Sequence, residues 1–174
     1  MNDSKFMTKL KLTKETSDYV IGYTEHELKK IEALYNIIIQ GQLKELLLLA
    51  GRCSGGLVGD DPIILYRELW DVRTQIMFQN TLIEDLYELK TESLQWNDYM
   101  GNYGQIFCFS WEWETQYYYL ITEHDDDLVY HYDENMETAE CTGLTLFQYL
   151  DRVYEEESKR KHIICRGELL EIYV

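Results

Sequence analysis

Cys53 is the residue with the clearest catalytic potential, and it lies in the segment from Arg52 to Gly56. A thiol becomes a nucleophile when a neighbouring positive charge lowers its pKa, and Arg52 adjoins this one. A thiol enzyme also needs a histidine within reach and a third group that orients it. None of the four histidines lies in a recognisable matching context. The sequence therefore favours a packed cysteine and predicts no catalytic residue.

A second candidate is the oxygen-rich turn from His124 to Asp127, followed by His131 and Asp133. Carboxylates of this kind suit calcium or magnesium. The segment lacks the glycine and the glutamate that an EF-hand loop requires at its sixth and twelfth positions. We therefore expect a solvated hairpin turn here, with no metal and no cofactor bound.

The remaining cysteines, Cys108, Cys141 and Cys165, form no Cys-x-x-Cys pair with one another or with Cys53. This spacing matches neither a disulfide framework nor a zinc ribbon. No apolar run approaches the ~20 residues that span a membrane, and no apolar segment follows the N-terminal lysines as a secretory signal requires. The sequence predicts a cytoplasmic protein with free thiols and no membrane partner.

Negative charge is the strongest signal in the chain. The sequence has 16 Lys and Arg against 32 Asp and Glu, a formal net charge of −16. Residues 91–151 hold thirteen of these acids and no Lys or Arg. This balance argues against nucleic acid as a partner and favours a cationic protein. The alternative is that the acids only keep an aromatic-rich sheet soluble. The acids expected to contact the partner are Glu112, Glu114, Asp125, Asp126, Asp127 and Asp133.

Two capping boxes, in which each side chain binds the other's backbone N–H, mark the starts of predicted helices. They are the pairs Thr24–Glu27 and Thr145–Gln148. A further helix is expected to begin near Gln40 and to stop before Gly51. A long helix is expected from about Glu68 to Leu89, with Leu69 on its buried side.

Other segments have the composition of strands. Residues 106–113, 117–121 and 128–133 are rich in aromatic and apolar residues and predict an antiparallel meander. Shorter or weaker patterns predict strands at residues 5–12, 63–66 and 163–174. Helices followed by a sheet and a last helix indicate an α+β fold. We expect one domain over residues 1–174, with a central antiparallel sheet flanked by helices.

The helical half of this pattern resembles the SUKH superfamily. Leu28-x-x-Ile31 is followed by the segment Leu43 to Gly51 and then by Gly55-Gly56, as in the N-terminal signature of that superfamily. The later strands and Leu144 to Leu150 fit as well, so the resemblance covers about residues 24–156. Residues 1–23 would then be an N-terminal extension or an edge strand. Members commonly have a proline before the second helix, whereas this chain has Gln40-Gly41-Gln42.

The resemblance implies a non-enzymatic immunity protein, which would bind and neutralise a toxin domain of a polymorphic or contact-dependent system. Such toxins are often nucleases or deaminases. The charge agrees independently, because a nuclease must be basic to hold nucleic acid and an acidic inhibitor complements it. The alternative is an intracellular scaffold or regulator of the SMI/KNR type. No interface residue carries over from the family, since the interface varies with the toxin.

Overall fold

Helices flank a central antiparallel sheet in this α+β chain, as the sequence predicts. The computed structural model describes residues 4–92, 96–102, 104–160 and 163–170. In chain order the helices are α1 (Lys5–Thr16), α2 (Glu25–Tyr35), α3 (Gly41–Ala50), α4 (Val72–Glu92), α5 (Trp96–Met100) and α6 (Leu146–Glu157). The strands are β1 (Val20–Ile21), β2 (Cys53–Ser54), β3 (Ile106–Glu112), β4 (Gln116–Ile121), β5 (Leu128–Asp133) and β6 (Thr138–Thr145).

The central sheet has the strand order β3-β4-β5-β6, and each neighbouring pair is antiparallel. Its first three strands confirm the predicted meander. β6 is a fourth strand that the sequence does not predict, and it is exposed or half-buried along its whole length. β1 and β2 form a separate small sheet, in which Val20 lies opposite Ser54.

Each face of the central sheet packs against a different group of helices. Side chains alternate between the two faces along a strand. On β4, Leu120 joins a core with α1, α2, α3 and α6, whereas Tyr119 joins a core with α4 and α5. The other sheet residues of the first core are Phe107, Phe109 and Val129. Those of the second are Ile106, Cys108, Tyr117, Ile121, Tyr130 and Tyr132.

Burial on both faces accounts for the density of aromatic residues in β3 to β5. The rings of these strands lie in or against the two cores. The exception is Trp113, directly after β3, which is 85% exposed. α4 is 21 residues long, yet no described helix has the length and apolar character needed to cross a bilayer.

Both predicted capping boxes are present. The Thr24 hydroxyl accepts the N–H of Glu27, whose carboxylate accepts the N–H of Thr24 at 2.8 Å. Thr145 and Gln148 make the same pair of bonds at the start of α6. Each cap satisfies backbone donors that the helix leaves free and stabilises the fold by ~1 kcal/mol. α3 ends at Ala50, immediately before Gly51, as expected.

The N-terminal segment is a helix, so the expected strand at residues 5–12 is wrong. The Ser4 hydroxyl accepts the N–H of Met7 at 3.1 Å and starts α1. Phe6, Met7 and Leu10 recur at helical spacing and are buried in the first core. Each buried side chain of this size stabilises the fold by ~1.5–3 kcal/mol. α1 is therefore part of the core, not an extension or an edge strand.

Two expectations around the start of α4 are also wrong. Ile64–Tyr66 form a 3₁₀ turn instead of a strand, although Ile63 makes one bridge with Ser110 of β3. Leu69 is 96% exposed, because α4 begins only at Val72.

The C-terminal segment contains no strand at residues 163–170, contrary to expectation. Residues 171–174 of that expected strand lie outside the described residues. The segment is held instead by backbone contacts, since the N–H of Gly167 donates to the carbonyl of Arg52 at 2.9 Å. A Cβ at Gly167 would lie 1.7 Å from the carbonyl oxygen of Leu65, so only glycine permits this approach.

A buried ion network fixes the same segment. It consists of Arg52, Glu27, Glu168 and Tyr23, and we call it the Arg52 network. Arg52 Nε donates to Glu168 Oε2 at 2.8 Å, and Nη2 donates to Glu27 Oε1 at 3.0 Å. The guanidinium also lies 4.0 Å from the centre of the Tyr23 ring. Arg52 and Glu168 are both 8% exposed, so each neutralises a charge that is removed from water.

Candidate functional site

The six predicted contact acids lie at opposite ends of the central sheet. Glu112 and Asp133 are both opposite Gln116, so they share one end with the β3–β4 turn that carries Glu114. We call this the Glu114 end. Residues 125–127 lie in the β4–β5 turn, which we call the Asp126 end. β4 separates the two ends by six residues, or about 20 Å. The acids are close in sequence but do not form one cluster.

Glu112 links the central sheet to α6. Its Oε1 accepts the hydroxyl of Tyr149 at 2.6 Å and Nη2 of Arg152 at 3.2 Å. The Ser110 hydroxyl lies 2.7 Å from the same Tyr149 oxygen. Burial and the adjacent Glu112 charge raise the pKa of Tyr149, so its hydroxyl remains a donor. Glu112 is the only one of the six acids that forms an ion pair within the described residues.

Asp127 supports the start of α3. Its Oδ1 accepts the N–H of Gln42 at 2.8 Å, at the end of the helix where free N–H groups favour a carboxylate. Burial raises the pKa of Asp127, and the Gln42 N–H opposes this shift. Gly41 has a φ of +52°, and its missing Cβ would lie 2.2 Å from Asp127 Oδ1. Glycine at this position therefore gives the carboxylate access to the helix.

The segment Gln40-Gly41-Gln42 thus joins three parts of the chain. The Gln40 amide donates to the carbonyls of Thr122 and His124, each at 3.1 Å. Gln42 Oε1 accepts the N–H of Phe147 at 2.7 Å. These bonds link the start of α3 to the Asp126 end and to α6. They hold the second predicted helix in place at its first residues.

Asp133 shapes the β5–β6 turn. Its Oδ1 accepts the N–H groups of Asn135 at 2.9 Å and Met136 at 3.2 Å. A hydrogen bond from Gln116, together with these N–H groups, lowers the pKa of Asp133. Asp133 is therefore charged at neutral pH but has a local structural role as well.

Three of the six acids remain free to meet a partner. Glu114, Asp125 and Asp126 are exposed. Asp126 accepts the N–H of Leu128 at 3.0 Å, and none of the three forms an ion pair with a described residue. These three are the exposed members of the predicted site, and no cation of the described residues pairs with them.

The Glu114 end holds a further acid, Asp85, that the sequence does not identify. Burial raises the pKa of Asp85 on α4, and repulsion from Glu134, Glu88 and Glu84 raises it further. Glu134 follows β5 and accepts the hydroxyl of Tyr117 at 3.1 Å. The acidic side chains of α4 and of the β5–β6 turn therefore lie close together, over the aromatic residues of the second core. No local pattern identifies this meeting, since the two segments are about 50 residues apart in sequence.

The environment of Cys53 is opposite to that of an activated thiol. The residue is 1% exposed, and burial raises the pKa of its thiol. Activation requires a lowered pKa and access to substrate. The four cysteines are free thiols in the structure.

The oxygen-rich turn is divided as well. His124 lies at the Asp126 end, whereas His131 lies on β5, with Nε2 2.6 Å from Gln116 Oε1 and Nδ1 3.5 Å from Glu140 Oε1. Within the described ranges, no three His, Cys, Asp or Glu side chains are grouped so that they could hold a metal ion.

The site is therefore a set of exposed carboxylates on hydrogen-bonded turns at the two ends of the sheet, and the aromatic residues of the second core lie beneath the Glu114 end. Comparisons of this chain with family models, with curated proteins and with solved structures find no match.

Proposed function

We propose that this chain is a non-enzymatic immunity protein that binds and neutralises a basic toxin domain in the cytoplasm. The proposal rests on the carboxylates at the two ends of the sheet that have no cation of the described residues beside them. Glu114, Asp125 and Asp126 form no ion pair with a described residue, and like-charge repulsion contributes to the raised pKa of Asp85. Keeping such charges together reduces folding stability, and a cationic partner relieves that repulsion.

The geometry suits a partner of protein size. The two acidic ends are about 20 Å apart, and interfaces of stable complexes commonly bury ~800 Å² on each partner. A toxin that acts on nucleic acid presents lysines and arginines around its active site. Carboxylates that bind those cations would accelerate association and would also cover the surface on which the toxin acts.

The resemblance of residues 24–156 to the SUKH superfamily supports the same function. It rests on packing motifs, and the residues that form them, such as Leu28, Ile31 and Leu43, are buried in the first core. It therefore supports the proposal through the fold expected for the family, and the interface is argued from the charges alone.

The direct test is neutralisation of a toxin encoded beside this chain's gene. The C-terminal domain of the adjacent large gene product would be induced in bacteria with and without this chain. Growth rescued by this chain, together with a stable complex of the two purified proteins, is the expected result. A toxic neighbour that is neither bound nor neutralised would contradict the proposal and favour the scaffold alternative.

The contribution of the acids is tested with the same pair of proteins. The double variant Asp125→Asn/Asp126→Asn removes two charges at the Asp126 end and leaves Asp127 on α3. Glu15→Gln/Asp18→Asn removes two exposed charges elsewhere and is the matched control. We expect slower association and a flatter salt dependence for the first variant, with little change in dissociation. Equal association rates for both variants would assign the effect to net charge instead of to this turn.

A further inference from the structure

The three most exposed large apolar side chains of the described residues lie along one surface. Leu69 is 96% exposed, Trp113 is 85% exposed and Ile163 is 82% exposed. They come from the segment before α4, the β3–β4 turn and the C-terminal segment, and the hollows that they line share Asp61. Single exposed apolar side chains are ordinary, whereas a group of them marks an interaction surface.

These side chains line adjoining hollows that form one cleft. Leu69 and Ile163 line a hollow of about 710 Å³. Trp113 lines two neighbouring hollows, one bordered by Arg67 and Trp111 and the other by α6. Asp61 lines all three hollows, and Arg67 lines two of them. We call the surface defined by Asp61, Arg67, Leu69, Trp113 and Ile163 the Trp113 cleft.

The floor of the Trp113 cleft is a stack of aromatic rings around Arg67. The guanidinium lies 4.8 Å from the Trp70 ring and 4.9 Å from the Trp111 ring. Its Nε donates to the carbonyl of Asp60 at 3.1 Å. The Trp70 ring also lies 4.9 Å from the ring of Phe78 on α4. A floor fixed by these contacts is already ordered before a partner binds, which reduces the entropy lost on binding.

The backbone holds Trp113 in an exposed position at a cost in stability. Trp113 has a φ of +54° and Glu114 a φ of +63°, within a turn closed by the bond from Thr115 N–H to Glu112 O at 3.3 Å. Such turns favour Asn-Gly, because other residues are strained in the left-handed region. Strain of this kind is commonly kept where it serves function.

The rim of the Trp113 cleft is acidic. Asp60, Asp61, Glu68, Glu114 and Glu156 line the three hollows, and none of them forms an ion pair with a described residue. The described cations that line the cleft are Arg67, stacked in the floor, and Arg160, which pairs with Glu157. An occupant that fits this surface has positive charge around an apolar centre.

We propose that the Trp113 cleft docks a basic polypeptide segment that carries one large apolar side chain. The apolar side chain packs against Trp113, Leu69 and Ile163, and flanking lysines or arginines meet the acidic rim. The inference takes the class of partner, a basic protein, from the proposed function. It adds an apolar contact to an interface that is otherwise argued from charge. Interfaces take most of their binding energy from such contacts, with surrounding charges contributing rate and specificity.

The test uses a fluorescein-labelled peptide of Lys and Ser residues with one central Trp. Its affinity for the full chain is measured by fluorescence anisotropy. Two further peptides replace the Trp by Ser or every Lys by Glu. We expect the Lys/Trp peptide to bind, the Ser peptide to bind about tenfold or more weakly, and the Glu peptide not to bind. Failure of the Lys/Trp peptide to bind, or equal binding of the Ser peptide, would overturn the proposal.

Variants of the chain locate the binding. Trp113→Asn and Leu69→Gln are expected to weaken the Lys/Trp peptide about tenfold. Asn accepts the left-handed backbone at position 113, so this variant should be at least as stable as the wild type. The controls are Met136→Asn and Met77→Gln, which replace apolar side chains 69% and 70% exposed that do not line the cleft. Equal losses in variants and controls would place the peptide elsewhere and refute the cleft.

The same variants separate this inference from the proposed function. If the chain neutralises its toxin and Trp113→Asn and Leu69→Gln do so equally well, the cleft is refuted and the function stands. If the peptide binds in the cleft but no adjacent toxin is neutralised, the docking surface stands and the immunity function is refuted.

Discussion

Carboxylates in two regions of this molecule have opposite surroundings. In the Arg52 network, a hydrogen bond from Arg52 lowers the pKa of Glu27 to about 2. At the Glu114 end, burial and repulsion from Glu134, Glu88 and Glu84 raise the pKa of Asp85. The fold favours the charged form of the first group by providing a cation, whereas burial and like charges disfavour the charged form of the second. The comparison separates acids that stabilise the fold from acids that a partner can use.

The largest expected effect is the loss of Arg52. Arg52→Met leaves the buried Glu168 carboxylate and Glu27 without their cation, so unfolding free energy at neutral pH should fall by ~3–5 kcal/mol. Lys11→Met breaks the exposed pair with Glu45 and is the control, with an expected loss below ~1 kcal/mol. Urea denaturation measures both. Equal losses would mean that the Arg52 network contributes no more than a surface ion pair.

Acid should weaken the Arg52 network in a defined pH range. Because the pKa of Glu27 is lowered from about 4.5 to about 2, its stabilisation is complete above about 4.5 and is lost as pH falls towards 2. The contribution is below ~3 kcal/mol, since the Glu27 side chain is partly exposed. Glu27→Gln should remove this part of the pH dependence in urea denaturation series. Parallel curves for wild type and variant between these pH values would contradict the assignment.

A smaller effect is expected at Asp127. Asp127→Ala removes the acceptor for the Gln42 N–H and should lower unfolding free energy by ~1–2 kcal/mol. Asp127→Asn keeps an acceptor oxygen and should recover most of this loss. Asp125→Ala alters an exposed acid of the same turn and should change stability by less than ~0.5 kcal/mol. Thermal and urea unfolding compare the three variants. Equal stability of Asp125→Ala and Asp127→Ala would show that the Asp127 carboxylate does not stabilise the start of α3.

The smallest effect, and the only gain, is expected at Asp85. Its raised pKa means that the charged form is disfavoured in the folded state, so Asp85→Asn should stabilise the protein at pH 7 by a few tenths of a kcal/mol. The gain should vanish at a pH below the ordinary range for aspartate, where both states are protonated. Destabilisation at pH 7 would show that Asp85 is not repelled by its neighbours.

Sequence patterns predict local features of this fold well. The capping boxes of Thr24 and Thr145 are correct because both partners lie within one helical turn. The apolar residues of residues 5–12 fit both a weak strand-like alternation and a helical spacing. The helix forms because it packs Phe6 and Leu10 into the first core, which the sequence alone does not show. β6 is missed because an exposed edge strand needs few apolar residues.

The candidate site is less predictable, because it depends on distant pairing. Sequence identifies the acidic segment but not which acids are already engaged. Glu112 meets Arg152 and Asp127 meets Gln42 only in the folded chain. The exposure of Trp113 is not predictable from the sequence either. Trp113 directly follows a buried strand that contains similar aromatic residues, and the neighbouring residues do not indicate its left-handed backbone.

The Arg52 network also has a consequence for the order in which the chain folds. Arg52 and Glu168 are 116 residues apart in sequence, and Tyr23 and Leu169 are 146 residues apart. Contacts of such separation close slowly, and a chain folds during synthesis from its N-terminal side. α1 to α3 therefore emerge from the ribosome long before residues 163–170 can complete their core. Of the two carboxylates that bind Arg52, only Glu27 has been synthesised at that stage, so we expect Glu168 to complete the network last.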